Sequence, residues 1–196
     1  MALFKGGNGA DTLVGTVDHD TLYGGNNNDS LAGIAGNDTL FGENGSDTLD
    51  GGDGIDRIEG GRGTDLIYGG SGDDNLTGGD DGDTIFAGDG EDRVYPGFGN
   101  DLVLLEHDLM DDVVRGTIAE LSGDTVLGFD VGFRNDALQV LGAPATLGRF
   151  LDNLAVIDGL VNLSKAGGGL VHLDDTISGF TDTMLGSDGG IFVYVV

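Results

Sequence analysis

The sequence predicts an all-β solenoid, a coil of very short parallel strands, followed by a mixed β-rich cap with one short helix. Residues 6–104 divide without insertion into eleven nonapeptides, and this strict period is the first observation behind the prediction. The second is that each unit has Asp at its sixth position and Leu, Ile or Val at its eighth. After Leu104 the period stops, so we expect a repeat domain at 6–104 and a C-terminal cap at 105–196.

Each nonapeptide has two halves with different backbone preferences. The first six residues carry Gly, Asn or Asp where positive φ angles cost least, which predicts a tight turn. The last three alternate as x-aliphatic-x, which is typical of a three-residue strand with one face inward. Residues at the seventh and ninth positions should then face outward. On that basis we expect Tyr23 to stack with Phe41, and Tyr68 with Phe86 on the other side.

Net charge limits the partners that this chain can have. The formal charge is −27, with 35 acidic and 8 basic side chains, which disfavours nucleic acid and anionic membrane surfaces as partners. No apolar run is long enough to predict a membrane span, and the absence of cysteine excludes disulfides. The first residues, MALFKGGNGAD, lack the apolar core of a secretory signal peptide, so we expect any export to use another route.

The sixth-position aspartates are the candidate metal ligands. Stacking the turns would align these carboxylates in columns of like charge, which is unfavourable unless a cation lies between them. Calcium accepts six to eight oxygens from carboxylates and carbonyls together, whereas zinc prefers His and Cys ligands, of which the repeats supply one His and no Cys. The predicted calcium ligands are Asp11, Asp20, Asp29, Asp38, Asp47, Asp56, Asp65, Asp74, Asp83, Asp92 and Asp101.

The pattern G-G-x-G-x-D-x-U-x, where U is aliphatic, resembles the calcium-binding nonapeptide of RTX (repeats-in-toxin) proteins. The resemblance implies a right-handed parallel β-roll with two nonapeptides per turn. It also implies calcium between the turns of units i and i+2, held by Asp side chains and loop carbonyls, and up to about nine ions. Unit 2 departs from the pattern at Thr16 and Asp18, and units 10 and 11 begin with Ala87 and Pro96 instead of Gly. We therefore rank the sites from Asp47 to Asp83 highest and those touching Asp20 or Asp101 lowest.

The second half of the chain is similar to the C-terminal capping segment of type I secreted bacterial proteins. Residues 124–140 predict strands joined by turns, 146–157 an amphipathic helix, and 159–180 a hairpin or two short strands around the three glycines at 167–169. The resemblance implies that the last nine residues, DGGIFVYVV, are an uncleaved signal for the type I secretion machinery. The alternative is that they form a closing strand of the cap.

Function follows from calcium and from the resemblance. No catalytic motif stands out, and the three histidines are scattered, so we expect no enzyme activity. We expect a secreted protein, extracellular or on a bacterial cell surface, that folds on calcium after type I export and serves as a folding and export module or a scaffold. The alternative is a stand-alone polysaccharide- or surface-binding protein. Ice binding is disfavoured because Arg57 and Leu66 interrupt the threonines of the seventh position.

Overall fold

The structure is a computed structural model of the 196-residue chain. It describes residues 1–105, 110, 112–117, 124–129, 137–141, 155–157, 160–162, 170–173 and 191–194. Within these ranges all regular structure is β-strand. No helix in the described part of the chain is long and apolar enough to cross a membrane.

Nineteen strands follow one another along the described chain. They are β1 (Leu3–Lys5), β2 (Thr12–Val14), β3 (Thr21–Asn26), β4 (Ser30–Ala35), β5 (Thr39–Asn44), β6 (Thr48–Asp53), β7 (Arg57–Arg62), β8 (Leu66–Ser71), β9 (Asn75–Asp80), β10 (Thr84–Asp89), β11 (Arg93–Phe98), β12 (Leu102–Leu104), β13 (Val113–Thr117), β14 (Thr125–Phe129), β15 (Ala137–Leu141), β16 (Ala155–Ile157), β17 (Leu160–Asn162), β18 (Leu170–Leu173) and β19 (Ile191–Tyr194).

Odd-numbered and even-numbered strands of the repeat form two separate sheets. One sheet has the order β1-β3-β5-β7-β9-β11-β13-β15-β19, and the other has the order β16-β17-β18-β14-β12-β10-β8-β6-β4-β2. Neighbouring repeat strands are parallel and lie in register at a spacing of 18 residues, as Thr39 pairs with Arg57 and Thr48 with Leu66. Two nonapeptides therefore make one turn of a parallel β-solenoid of about six turns, which confirms the predicted fold class.

The core is a double column of aliphatic side chains from the eighth position of each unit. One eighth-position side chain per strand points inward, because side chains alternate between the two faces of a strand. These residues are at most 1 % exposed from Leu22 to Val103, and Val114 in β13 continues the column. The interior is so narrow that two rows of Leu, Ile and Val fill it.

The predicted division of each unit into six turn residues and three strand residues is wrong. From β3 to β11 the strands are six residues long, because they continue from positions 7–9 of one unit into positions 1–3 of the next. Position 1 therefore lies in a strand and is buried from β3 to β11; it is glycine except in the last two units, which have Ala87 and Pro96. Only positions 4 to 6 make the turn.

Both sheets continue beyond the last nonapeptide. Strand β13 pairs in parallel with β11, β14 with β12, and β15 with β13, so the ladder persists where the glycine pattern has ended. Strand β14 lies within the predicted segment 124–140, β15 begins in it and ends at Leu141, and β17 pairs antiparallel with β18 as the predicted hairpin. Within the last nine residues, β19 pairs antiparallel with β15, so this segment does form a strand.

The predicted helix over 146–157 is wrong at its C-terminal end. Residues Ala155–Ile157 form strand β16, which pairs antiparallel with β17. The consecutive residues Ala155, Val156 and Ile157 are small or β-branched, and such residues suit a paired strand as well as the apolar face of a helix. The remainder of the predicted helix, 146–154, lies outside the described residues.

Candidate metal centre

The solenoid brings the sixth-position aspartates into two columns, one at the start of each sheet's strands. The odd column precedes β3 to β13 and consists of Asp20, Asp38, Asp56, Asp74, Asp92 and Asp112. The even column precedes β2 to β14 and consists of Asp11, Asp29, Asp47, Asp65, Asp83, Asp101 and Asp124. All of these side chains except Asp11 are buried, at most 4 % exposed. Burying one carboxylate on every strand is energetically costly unless each is paired, so a proposed function must explain this feature.

Hydrogen bonds join the aspartates of each column from one turn to the next. The backbone N–H of each aspartate donates to Oδ1 of the next aspartate in its column, as Asp56 does to Asp74 at 2.7 Å. Eleven such bonds run through the two columns, at 2.7–3.0 Å. One oxygen of each carboxylate is therefore fixed by the backbone, and the other is held in a defined direction.

That second oxygen is the one that lacks a donor. Among the described residues, Oδ2 accepts no hydrogen bond in seven successive sixth-position aspartates: Asp29, Asp38, Asp47, Asp56, Asp65, Asp74 and Asp83. A buried carboxylate oxygen without a donor costs several kcal/mol unless a cation satisfies it. An Oδ2 atom without a hydrogen-bond donor recurs once per unit over seven units. This regularity indicates a repeated cation site.

Glycine at position 1 keeps the space beside Oδ2 open. A methyl group added at Gly51 would lie 2.3 Å from Asp56 Oδ2 and 2.5 Å from the carbonyl oxygen of Gly69 in the next turn. A carboxylate oxygen and a carbonyl oxygen from neighbouring turns therefore lie beside the same point. Two oxygen atoms beside one point, of which Asp56 Oδ2 has no donor, fit a hard, oxygen-preferring cation.

The donor set fits calcium better than a transition metal. No three His, Asp or Glu side chains converge as a metal-binding group among the described residues, and the chain has no cysteine. An ion between the turns must therefore take much of its coordination shell from backbone carbonyls, which Ca²⁺ accepts and Zn²⁺ does not favour. His19, the one histidine of the repeats, uses its Nδ1 to accept a hydrogen bond from the Asn37 N–H.

The interior carboxyls have raised pKa values in the metal-free fold. Burial raises the pKa of Asp56 to about 6, of Asp65 to about 7 and of Asp74 and Asp83 to about 8. The hydrogen bond from the preceding turn opposes this effect, and the charged neighbours of the same column add to it. In the metal-free fold, protons therefore neutralise the carboxylates that a divalent cation would otherwise neutralise.

Asp20 differs from the interior aspartates, as its low rank in the sequence suggests. Its Oδ2 accepts hydrogen bonds from the Thr16 N–H at 2.8 Å and the Thr16 hydroxyl at 2.7 Å. These bonds lower the pKa of Asp20, with the hydroxyl as the largest cause. Thr16 stands where most other units have glycine, so this unit satisfies its carboxylate with its own donors.

The sequence pattern ranks the calcium sites touching Asp101 lowest, but the burial and hydrogen bonds of Asp101 match those of the interior aspartates. Asp101 is 2 % exposed, accepts the N–H of Asp83 and donates its own N–H to Asp124 at 3.0 Å. It occupies the interior of its column because the sheets continue beyond the repeat. Burial raises its pKa, as it does for Asp65.

Two column residues, Asp112 and Asp124, were missed by the sequence reasoning. Each is 1 % exposed and accepts the N–H of the preceding aspartate of its column, Asp92 or Asp101. Burial raises the pKa of Asp124 to about 7. The spacings of 20 and 23 residues from these partners break the period of 18. The signal that survives is Asp-x-aliphatic-x-Gly, which occurs at both positions.

Aromatic residues at the ninth position stack as predicted. The rings of Tyr23 and Phe41 are 4.9 Å apart on the sheet of odd strands, and those of Tyr68 and Phe86 are 4.9 Å apart on the other sheet. Both pairs lie between adjacent parallel strands in register. They stiffen the ladder on each outer face and leave the aspartate columns unobstructed.

Comparison with protein families agrees with the geometry. The family described as RTX calcium-binding nonapeptide repeat (4 copies) matches residues 5–40, 23–57, 41–76, 50–85 and 68–103. These overlapping segments span about half of the chain and contain the column aspartates from Asp11 to Asp101. A comparison with curated proteins gives no match.

Proposed function

Because the chain belongs to the family of RTX calcium-binding nonapeptide repeats, we propose that it is a calcium-binding module whose folding depends on calcium. The observation that carries the proposal is the row of buried Oδ2 atoms without hydrogen-bond donors, from Asp29 to Asp83. Calcium supplies two positive charges for each pair of turns and binds both carboxylate and carbonyl oxygens. Since the ligands come from different turns, binding and folding share one free energy.

The ligands that we assign are the buried members of both columns other than Asp20. Adding Asp112 and Asp124 to the eleven aspartates of the nonapeptides raises the number of adjacent carboxylate pairs from nine to eleven. The upper limit on the number of ions rises with it. Asp11 is not among the assigned ligands, because it is only partly buried and its Oδ2 accepts a hydrogen bond from the Gly7 N–H.

Calcium-dependent folding suits a protein that is exported unfolded. RTX repeat proteins are typically secreted by bacteria. Free calcium is low in cytosol, where 21 acidic and 4 basic side chains in residues 1–104 would keep the metal-free chain expanded. Extracellular calcium modules commonly bind at about 10⁻⁴–10⁻³ M, so the exported chain would fold on arrival outside the cell. The proposal assigns no catalytic step to this chain.

The export proposal is tested by removing residues 188–196 from a chain co-expressed with a type I exporter. We expect secretion to be lost, because the acidic and then apolar segment DGGIFVYVV is the proposed signal. Immunoblotting of the culture medium and of the cells measures the exported fraction. Circular dichroism of the purified variant shows whether its calcium-induced folding remains.

A matched variant separates export from folding. Asp65→Ala removes one column carboxylate and leaves the C-terminal segment intact, so we expect it to be secreted but to need more calcium to fold. Secretion of the 188–196 deletion at the level of the full chain would contradict the export proposal. That result would leave the segment as a closing strand of the cap, the role in which β19 is observed.

A further inference from the structure

The solenoid has an open end at β1 and β2. These are the first strands of the two sheets, and among the described strands each pairs on one side only, β1 with β3 and β2 with β4. Phe4 and Leu13, the first members of the two aliphatic columns, are only partly buried, whereas Leu22 and Leu31 in the next turn are at most 1 % exposed. The core of the roll therefore reaches solvent at this end.

The two free edges present a defined set of backbone groups. In β2, the carbonyl of Asp11 and the N–H of Gly15 bond to β4, and in β1 the carbonyl of Ala2 and the N–H of Gly6 bond to β3. Alternate residues of a strand direct their N–H and C=O groups to opposite sides, so the residues between these point away from the roll. The groups left at the open end are the N–H and C=O of Leu3, Lys5, Thr12 and Val14.

The open end is apolar and nearly uncharged. Four of the nine large hydrophobic residues that are exposed in the described chain lie within residues 1–17: Met1, Leu3, Val14 and Val17. This segment carries one basic and one acidic side chain, Lys5 and Asp11, in a chain of net charge −27. Apolar surface beside unpaired strand edges favours association, and at this end charge repulsion does not oppose the approach of a second copy.

The shape of the open end determines what can cover it. Its two unpaired edges are about 10 Å apart, the separation of two packed sheets, and the ends of both aliphatic columns lie between them. A single extended peptide would pair with one edge and leave the other edge and half of the core in water. A second solenoid end presents two edges at the same separation, and another copy of this chain supplies one.

We propose that two copies of the folded chain associate head to head through β1 and β2. A two-fold axis passes between the two Phe4 residues in one sheet and between the two Leu13 residues in the other, so that each strand pairs antiparallel with its own counterpart. Both sheets and both aliphatic columns then continue from one copy into the next. The arrangement closes at two copies, because each roll has one such end.

The free backbone groups fix the register of this pairing. Leu3 lies opposite the partner's Lys5, and Thr12 lies opposite the partner's Val14, and each pair exchanges two N–H···O bonds. The four free N–H groups of each copy therefore make eight hydrogen bonds in the dimer. Lys5 lies over the Tyr23 ring at 5.2 Å, which keeps its ammonium group on the outer face of the odd sheet, the face to which Leu3 also points.

The size of the end sets the strength of the association. A roll with six-residue strands is about 20 Å wide and about 10 Å thick between its sheets, so the contact covers on the order of 200–400 Å² of each copy. Stable interfaces bury about 800 Å² per partner. We therefore expect a reversible dimer that forms at about 10 µM to 1 mM protein and not an obligate one.

The test is sedimentation equilibrium of the calcium-loaded full chain, with Leu3→Glu and Leu3→Lys compared. In the proposed register, Leu3→Glu creates two opposite-charge pairs with Lys5 across the interface, and Leu3→Lys creates two like-charge pairs. We expect the association constant of Leu3→Glu to exceed that of Leu3→Lys at least about tenfold. Overall charge predicts the reverse order, because the Lys variant is the less negative protein.

Two further sets of variants provide the control and an independent test of the second sheet. Phe98 is 55 % exposed, close to the 61 % of Leu3, and lies in β11 away from the open end, so Phe98→Glu and Phe98→Lys should differ less than about twofold. Val14→Pro removes an N–H that faces the free edge, where an edge strand tolerates proline. It should lower the association constant at least about tenfold, because the dimer loses two hydrogen bonds.

Circular dichroism of each sample in calcium shows that the roll is folded, so the result does not depend on what makes it fold. A chain that stays monomeric at about 1 mM would overturn the proposal. So would an association constant of Leu3→Lys equal to or above that of Leu3→Glu, or a difference of the same size between the Phe98 variants. Species that grow beyond the dimer would overturn it as well, because they would assign the open end to head-to-tail stacking.

Discussion

Alanine in place of Gly63 should prevent the roll from folding at calcium concentrations that fold the unmodified chain. Gly63 has φ +108°, and an added methyl group would lie 2.0 Å from the carbonyl oxygen of Gly45 in the preceding turn. Neither backbone can move without breaking the ladder, so the strain and the clash together cost at least about 3 kcal/mol. That is a large part of the stability of an ordinary domain. A calcium titration followed by circular dichroism measures the effect.

Gly9 provides the matched control, because it occupies the same fourth position in the first nonapeptide. A methyl group added there meets nothing within 4 Å. Gly9→Ala should therefore fold at nearly the same calcium concentration as the unmodified chain. If both alanine variants behave alike, the close stacking of turns is not what makes these glycines necessary.

Without calcium, acidification should favour the folded roll. The pKa values of Asp65, Asp74 and Asp83 are raised to about 7 or 8 in the folded state, against 3.8 in the unfolded state. Stability from such a group is present below the unfolded value and is lost as the pH rises through the folded one. Each charged carboxyl at pH 8 thus destabilises the metal-free fold by on the order of 3–5 kcal/mol. We expect β-structure near pH 4–5 and a disordered spectrum at pH 8, in chelator-treated buffer.

Calcium competes with these protons for the folded roll, but both favour it over the unfolded chain, so the calcium concentration at the folding midpoint should fall as the pH falls from 8 to 5.5. Asn at one column position keeps the shape and removes the charge, which makes Asp74→Asn the suitable control. This variant should fold more readily than the unmodified chain in metal-free buffer at pH 8. A metal-free chain that is more ordered at pH 8 than at pH 5 would show that carboxylate repulsion does not limit folding.

The repeat made most of this architecture readable from sequence alone. An aliphatic residue every nine positions fixes the inward face of each strand, and the aspartate two positions earlier falls on the same side in every unit. The core from Leu22 to Val103 and both aspartate columns follow from that register. Stacking of Tyr23 on Phe41 follows as well, since units i and i+2 are neighbours.

Features that depend on contacts between turns were not readable. Strands extend through positions 1–3 because glycine there packs against the carbonyl of the next turn, a tertiary contact that no local preference reveals. Asp112 and Asp124 were missed because they lie 20 and 23 residues from their column partners rather than 18, while the ladder continues. Ala155–Ile157 became a strand because β17 was available as a partner, which overrode an apolar pattern of helical period.

The central claim is that divalent ions relieve the repulsion within the aspartate columns and so make the native state. Circular dichroism of the full chain at pH 8, titrated with calcium after exhaustive chelation and with magnesium in parallel, tests it most directly. The account predicts a disordered spectrum that changes cooperatively to β-structure with calcium and not with magnesium. A stable β-spectrum in the fully chelated protein at that pH would contradict it.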